Sequence, residues 1–277
     1  MPSFTLPQDA KPFARGLSAE VYAWEQGRIL KLFLPHFPRF HADYEAMCSA
    51  VVSRCDLPVA RLVERVDIDE RHGLVFERIT GPSGLEAIGR QPWRLLPVLH
   101  AMAQAQHRIN QTKAPAEIHA LHDILAHHIA HQKVLSEAEH DTILACLARL
   151  PRGDSLCHAD LHPGQMILSP QGPVVIDWAN AARGVPAADI ARSWLLLRLG
   201  PPIENRWLGA VVRFGLALAG QAFLTMRLRL AARTVSKREV EAWLLPLLAA
   251  RFYERVPGEE ARLLRAIRHR LRQARPA

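Results

Sequence analysis

Residues 158–177, HADLHPGQMILSPQGPVVID, decide the fold. Two runs of branched apolar residues, Gln165 to Leu168 and Val174 to Ile176, flank a Ser-Pro-Gln-Gly-Pro turn. Such a pattern predicts a short β-hairpin. A polar loop, His158 to Gly164, leads into the first strand, and the second strand ends on Asp177. Asp160 and Asp177 are therefore expected toward one end of the hairpin, with Gln165 where loop becomes strand. Hard cations take oxygen ligands, and phosphoryl transfer needs a group that orients the attacking hydroxyl. Two carboxylates and an amide so arranged suit a magnesium–nucleotide site.

Working outward toward the N-terminus, Glu20–Trp24 and Arg28–Phe33 read as strands joined by Glu-Gln-Gly. Lys31 lies between Leu30 and Leu32 on the second of them. A lysine on a half-buried strand needs a partner or a ligand. The small-residue turn before this hairpin, Arg-Gly-Leu-Ser-Ala, can turn backbone N–H groups toward phosphates. Residues 40–54 have helical spacing, with Phe40, Tyr44, Met47 and Val51 on one row and Glu45 one position off it. Residues 59–67 and 73–79 read as another strand pair, running into Thr-Gly-Pro-Ser-Gly.

From residue 92 the pattern turns helical. PWRLLPVLHAMAQAQHRIN carries an apolar row, and His107 near its end reads as structural rather than catalytic. Ser136 and Glu139 form a capping box for a helix over 136–149. His127 and His131 are spaced to chelate a metal, but no Glu or Cys joins them at zinc spacing, so a solvated helix face is the better reading. Pro186 marks the first turn of a helix that contains Asp189. Further helices are expected over Asn205–Leu230, Glu239–Val256 and Glu259–Arg275.

The 277 residues, 49% of them hydrophobic, allow one large domain or two lobes and exclude a disordered chain. Four cysteines without a CxxC pair read as reduced thiols in a cytoplasmic protein. The N-terminal MPSFTLPQDAK has no apolar core, so no signal peptide is expected. The most apolar long window, Leu208–Met226, is interrupted by Arg213 and Gln221 and reads as a buried helix rather than a membrane span. Net charge is +8, yet no aromatic-and-basic stripe accompanies it, so nucleic acid is not an expected partner. Residues 201–277 hold 15 Lys or Arg against 6 Glu, a net of 15 − 6 = +9. Their last stretch, RLLRAIRHRLRQAR, reads as a basic surface helix.

HADLHPGQMIL followed by VVIDWAN resembles the catalytic and metal segments of the aminoglycoside phosphotransferase and choline kinase-like family. The family segment usually reads His-Gly-Asp-x-His-x-x-Asn, then Ile-Asp. This chain has Ala159 for the Gly and Gln165 for the Asn. The resemblance implies an α+β, protein-kinase-like fold of two lobes. The N-lobe, a small antiparallel sheet with one helix, would cover 1–79, and a mostly helical C-lobe 80–277, with ATP and Mg2+ bound between them.

Residue by residue, the resemblance implies Asp160 as catalytic base, with Gln165 and Asp177 as metal ligands. It implies Lys31 on the α and β phosphates, paired with Glu45, and Ser18 in the phosphate-covering loop. Backbone groups near Glu77 and Ile79 would read the adenine, and Asp189 would buttress the catalytic loop. The implied reaction is transfer of the γ-phosphoryl group to a small-molecule alcohol, by a monomer or homodimer with no membrane partner. Gln165 leaves a second reading open. Its extra methylene displaces the amide oxygen, and Mg2+ demands near-ideal geometry, so a nucleotide binder impaired in catalysis is the alternative.

Overall fold

Apolar alternation and short turns build a six-stranded sheet in the computed structural model, which describes residues 3–4, 10–200 and 206–274. The strands are β1 (Ser3–Phe4), β2 (Ala14–Arg15), β3 (Ala19–Trp24), β4 (Arg28–Phe33), β5 (Leu62–Ile68) and β6 (Arg71–Glu77). They lie in the order β1-β5-β6-β4-β3-β2, antiparallel except for the β1–β5 pair. Side chains alternate between the two faces. Ala19, Phe33, Leu74 and Phe76 form a core with Ala42 and Ala46 of helix α1 (Arg39–Val52). Tyr22, Leu30, Leu32, Val66, Ile68 and Val75 form the core of the other face.

A short helix, α2 (Gly84–Arg90), follows the sheet, with Ser83 and Glu86 capping it reciprocally. The two compact units of the chain are Met1–Ala87 with Gly164–Asn180, and Ile88–Pro163 with Ala181–Ala277. The sequence reading put the whole stretch after residue 79 with the helical part. The central hairpin, β8 (Met166–Ser169) and β9 (Gly172–Val175), instead joins the sheet-bearing unit. Its backbone explains why: Leu168 N–H donates to Pro82 O at 2.9 Å and Val175 N–H to Pro58 O at 3.0 Å. The turn just after it, Trp178–Asn180, packs on α1 and buries Trp178.

The second unit is mostly helical. It contains α3 (Leu95–Gln111), α4 (Leu121–His131), α5 (Glu137–Ala148), the strand pair β7 (Ser155–Cys157) and β10 (Ala182–Gly184), and α6 (Pro186–Leu199). Then come α7 (Arg206–Leu230), α8 (Lys237–Ala242), α9 (Leu244–Ala250), a 3-10 turn over Arg251–Glu254, and α10 (Glu260–Ala274). Capping boxes start α5 at Ser136 and α8 at Ser236, and Pro186 sits in the first turn of α6. The expected helix ends at Asn205 and Arg275 lie outside the described residues.

Two expectations need correction. Glu239–Val256 is not one helix, because the chain breaks between α8 and α9 at Trp243. And α7 is only partly buried over Val211–Leu230. It is long and apolar enough over Val211–Leu230 to cross a membrane by length and composition. Its C-terminal half buries Phe223, Leu224 and Arg227 against α3 and α6, while Val211, Phe214 and Leu218 are exposed.

Candidate functional site

In the sheet-bearing unit, register and turn chemistry bring four of the singled-out residues together. Lys31 lies opposite Leu74 in the β4–β6 ladder and so points to the α1 face of the sheet. There its Nζ donates to both carboxylate oxygens of Glu45, each at 2.8 Å, and to Asp177 Oδ1 at 3.0 Å. Glu45 is 1% exposed. Burial works against the Lys31 charge, but Asp177 and Glu45 outweigh it and hold the ammonium above its ordinary range. Burial pushes the Glu45 carboxyl up to about 7, with Lys31 opposing. Asp177 itself has φ +62°, a left-handed conformation that non-glycine residues adopt at a cost. Gln165 Nε2 donates to Asp177 Oδ2 at 3.2 Å.

In the helical unit, the loop that carries Asp160 is held through the backbone of Ala159 and Asp160. Ala159, where the resembling segment has Gly, adopts φ +58°. Its N–H donates to Asp189 Oδ1 at 2.8 Å, and its carbonyl accepts from Arg192 Nε at 3.0 Å. The Asp160 N–H donates to His158 Nδ1 at 3.3 Å, and Arg192 Nη2 donates to Asp160 Oδ1 at 3.0 Å. The hydrogen bond expected of Asp189 is thus present. Its other oxygen accepts from Asn110 Nδ2 at 2.8 Å. Asn110 and Gln106 accept in turn from Arg227, whose guanidinium burial pulls down to about 10 while Asp189 opposes.

The inward polar positions of α3 are therefore Gln106 and Asn110. His107, singled out in the sequence, is half-buried, with its Nδ1 3.4 Å from Arg227 Nη1. Sequence reasoning missed Arg192, Arg227, Asn110 and Gln106. A signal existed for Arg192, since an arginine amid IARSWLLL on an apolar helix calls for a buried partner.

The remaining singled-out residues sit on loops and edges. Ser18 closes the exposed turn between β2 and β3, where Gly16 N–H donates to Ala19 O and Leu34 N–H to Ser18 O, both at 2.9 Å. Glu77 ends β6 with its N–H given to Arg61 O at 3.0 Å, and Ile79 follows it in open chain. The rings of His127 and His131 are tilted by 31° with centroids 4.0 Å apart, and His128 stacks on Tyr253 at 4.2 Å. Among the described residues no group of three His, Cys, Asp or Glu is placed to hold a metal ion.

A divalent cation fits the Asp177–Gln165 pair by donor chemistry. A carboxylate and a side-chain amide offer oxygens only, which suits a hard cation that takes one or two protein ligands and completes its shell with phosphate and water. Gln165 would have to present its amide oxygen in place of the Nε2 that now meets Asp177.

The sequence profile of the phosphotransferase enzyme family matches residues 9–227. No curated protein matches the chain in sequence. Among solved structures, the chain resembles aminoglycoside phosphotransferase APH(3'')-Id from Streptomyces rimosus, with ADP and streptomycin, at 18% identity and a TM-score of 0.57 over 87% of this chain and 92% of that one. It resembles the aminoglycoside-3'-phosphotransferase of type VIII at 20% identity and a TM-score of 0.59, over 87% and 91%. The GDP and kanamycin complex of APH(2")-IIia aligns at 13% identity and 0.58, over 97% and 94%. At these identities the likeness shows the fold, which is protein-kinase-like as read from the sequence.

Proposed function

The chain belongs to the phosphotransferase enzyme family, and from that premise we propose that it is an ATP-dependent kinase that moves the γ-phosphoryl group onto a hydroxyl of a small molecule. The observation that carries this reading is the Lys31 ammonium held by both oxygens of Glu45 and by Asp177. A buried lysine clamped by two carboxylates is a fixed positive charge, which is what nucleotide phosphates require of a protein. Lys31, fixed by Glu45, steadies the α and β phosphates. Asp177 and Gln165 hold Mg2+, which supplies charge neutralisation on the phosphates when bound. Backbone groups near Ser18 cover the phosphates, and those of Glu77 and Ile79 take the adenine.

Asp160 orients the acceptor hydroxyl and receives its proton. The acceptor oxygen bonds to the γ-phosphorus as the bond to the β–γ bridging oxygen breaks, and ADP leaves. Asp189 and Arg192, by pinning Ala159, fix where the Asp160 carboxylate stands. Positioning and charge neutralisation supply most of such catalysis, so few groups suffice. Several structural relatives were solved with aminoglycosides. In this chain, however, the carboxylates of the C-terminal region at Glu254 and Glu259 are already paired with arginines, which favours a neutral or anionic alcohol over a polycation. The four free thiols are in keeping with a cytoplasmic setting.

The test is ADP release with Mg-ATP over aminoglycosides, macrolides, choline, homoserine and sugars. One acceptor class should stimulate release, and Asp160→Asn should remove the stimulation while nucleotide binding persists. Nucleotide binding without transfer or hydrolysis under Mg2+ or Mn2+ would leave the impaired-binder reading that Gln165 keeps open.

A further inference from the structure

Arg192 does more than hold the Ala159 carbonyl. It is 6% exposed, on α6, and its Nη2 serves two carboxylates: Asp160 Oδ1 at 3.0 Å and Glu254 Oε1 at 2.6 Å. Glu254 comes from the 3-10 turn after α9, 94 residues beyond Asp160 in sequence and outside the stretch that the family profile matches. Its second oxygen accepts from Arg251 Nη1, and Arg251 Nε donates to Glu259 Oε2 at 2.9 Å. An unbroken row of alternating charges therefore runs from Asp160 into the C-terminal segment. Arg251 and Glu259 are nearly buried, with side chains 12% and 6% exposed. Buried ion rows of this kind are costly to break, because removing one member strands the charge of the next.

The row has a consequence for the candidate base. Arg192 fixes one oxygen of Asp160 and so determines which oxygen remains for an acceptor hydroxyl. A buried arginine facing Asp160 alone would bind that carboxylate as a neutral pair. Glu254 takes the shorter contact of the same nitrogen, so Asp160 shares Arg192 rather than holding it alone.

We infer that Arg192 and Glu254 are positioning residues for Asp160, with Arg251 holding Glu254 in place. The inference rests on the reading of Asp160 as the base of a phosphotransferase. Glu254→Gln keeps the shape but removes the charge and sets an amide N–H₂ against one of the arginines. Glu254→Asp keeps the charge on a shorter arm. Arg192→Lys cannot reach the Ala159 carbonyl and both carboxylates at once.

The experiment measures ADP release from Mg-ATP, with the stimulating acceptor and with water alone, together with the melting temperature of each variant. Displacement of a base by a fraction of an ångström costs turnover, so Glu254→Gln and Arg192→Lys are expected to lower kcat by about tenfold to hundredfold, with KM for ATP unchanged within about twofold. Glu254→Asp is expected to recover part of the loss. Glu241→Gln, which removes an exposed ion pair with Lys237, is the control and keeps wild-type turnover. Amide exchange over residues 155–163 should rise in Glu254→Gln with the rest of the helical unit unchanged.

Wild type that turns over while Glu254→Gln and Arg192→Lys match it overturns the inference and leaves the kinase reading standing. Variants that melt early but keep kcat make the row merely structural, and overturn the inference too. A wild type that releases no ADP with any acceptor or with water removes the premise, and the inference falls with it.

Discussion

At the scale of single residues, the unusual substitutions in the central segment have physical accounts. Ala159 occupies a left-handed conformation that costs a non-glycine residue about 1–2 kcal/mol. Its hydrogen bond to Asp189 and the one it accepts from Arg192 hold it there. Ala159→Gly relieves that strain and gives back about 0.5–1 kcal/mol through the freer unfolded chain. The variant should melt at the same temperature or about 2 °C higher, with turnover retained. A clear drop in melting temperature would mean that the Ala159 methyl packs where it sits. Gln165 faces Asp177 with its nitrogen, and its longer arm has one more rotor to fix before oxygen can meet a cation. Gln165→Asn should lower the Mg2+ concentration for half-maximal turnover, and a mutant that needs more Mg2+ than wild type would refute this. Glu45 gives a pH dependence. Its carboxyl stands at about 7, above the carboxylate range, so it gains a proton and loses its charge as pH falls through neutrality. Lys31 then keeps Asp177 alone. The kcat/KM for ATP should fall below about pH 7, and Glu45→Gln should give a lower, flat profile over that range.

At the scale of elements, the hairpin depends on the first glycine of the Thr-Gly-Pro-Ser-Gly turn that follows β6. Gly81 has φ +143°, and a Cβ there would stand 2.3 Å from Leu168 O on β8. Gly81→Ala should cost about 2–3 kcal/mol or more and loosen the Leu168 N–H bond to Pro82. Amide exchange at Leu168 and the melting temperature read both effects, and an unchanged Leu168 amide would count against the account. Local elements were legible because their causes are local. The turn Glu-Gln-Gly bounds β3 and β4 within a residue of the expected ends, and the Ser136–Glu139 box starts α5 as read. Lys31 and Glu45 lie 14 residues apart and were paired through a resemblance, which the geometry matches. What stayed hidden depends on distant partners. Arg227 meets Asn110 across 117 residues and Arg192 meets Glu254 across 62, and no local pattern names the partner of either arginine. The backbone of Ala159 was hidden too, since a left-handed φ at a non-glycine residue leaves no trace in composition.

At the scale of the whole molecule, the chain order and the compact units disagree, and folding should follow the units. The sheet-bearing unit needs Gly164–Asn180, supplied from the middle of the chain. That segment brings Asp177 to Lys31 across 146 residues and puts Trp178, 2% exposed, on α1. A contact of such sequence separation forms late, because the loop must close before the contact stabilises anything. Residues 1–87 alone would keep the six strands and α1. They would also expose the surface that Trp178 covers and leave Lys31 and Glu45 without Asp177. Burying a large aromatic side chain is worth about 1.5–3 kcal/mol, a large share of the stability of so small a unit. The fragment 1–87 should therefore melt without a cooperative transition, and a 164–180 peptide added to it should restore part of that cooperativity. Circular dichroism melts with and without the peptide make the comparison. A sharp, two-state melt of 1–87 by itself would show that the sheet and α1 need no contribution from the hairpin.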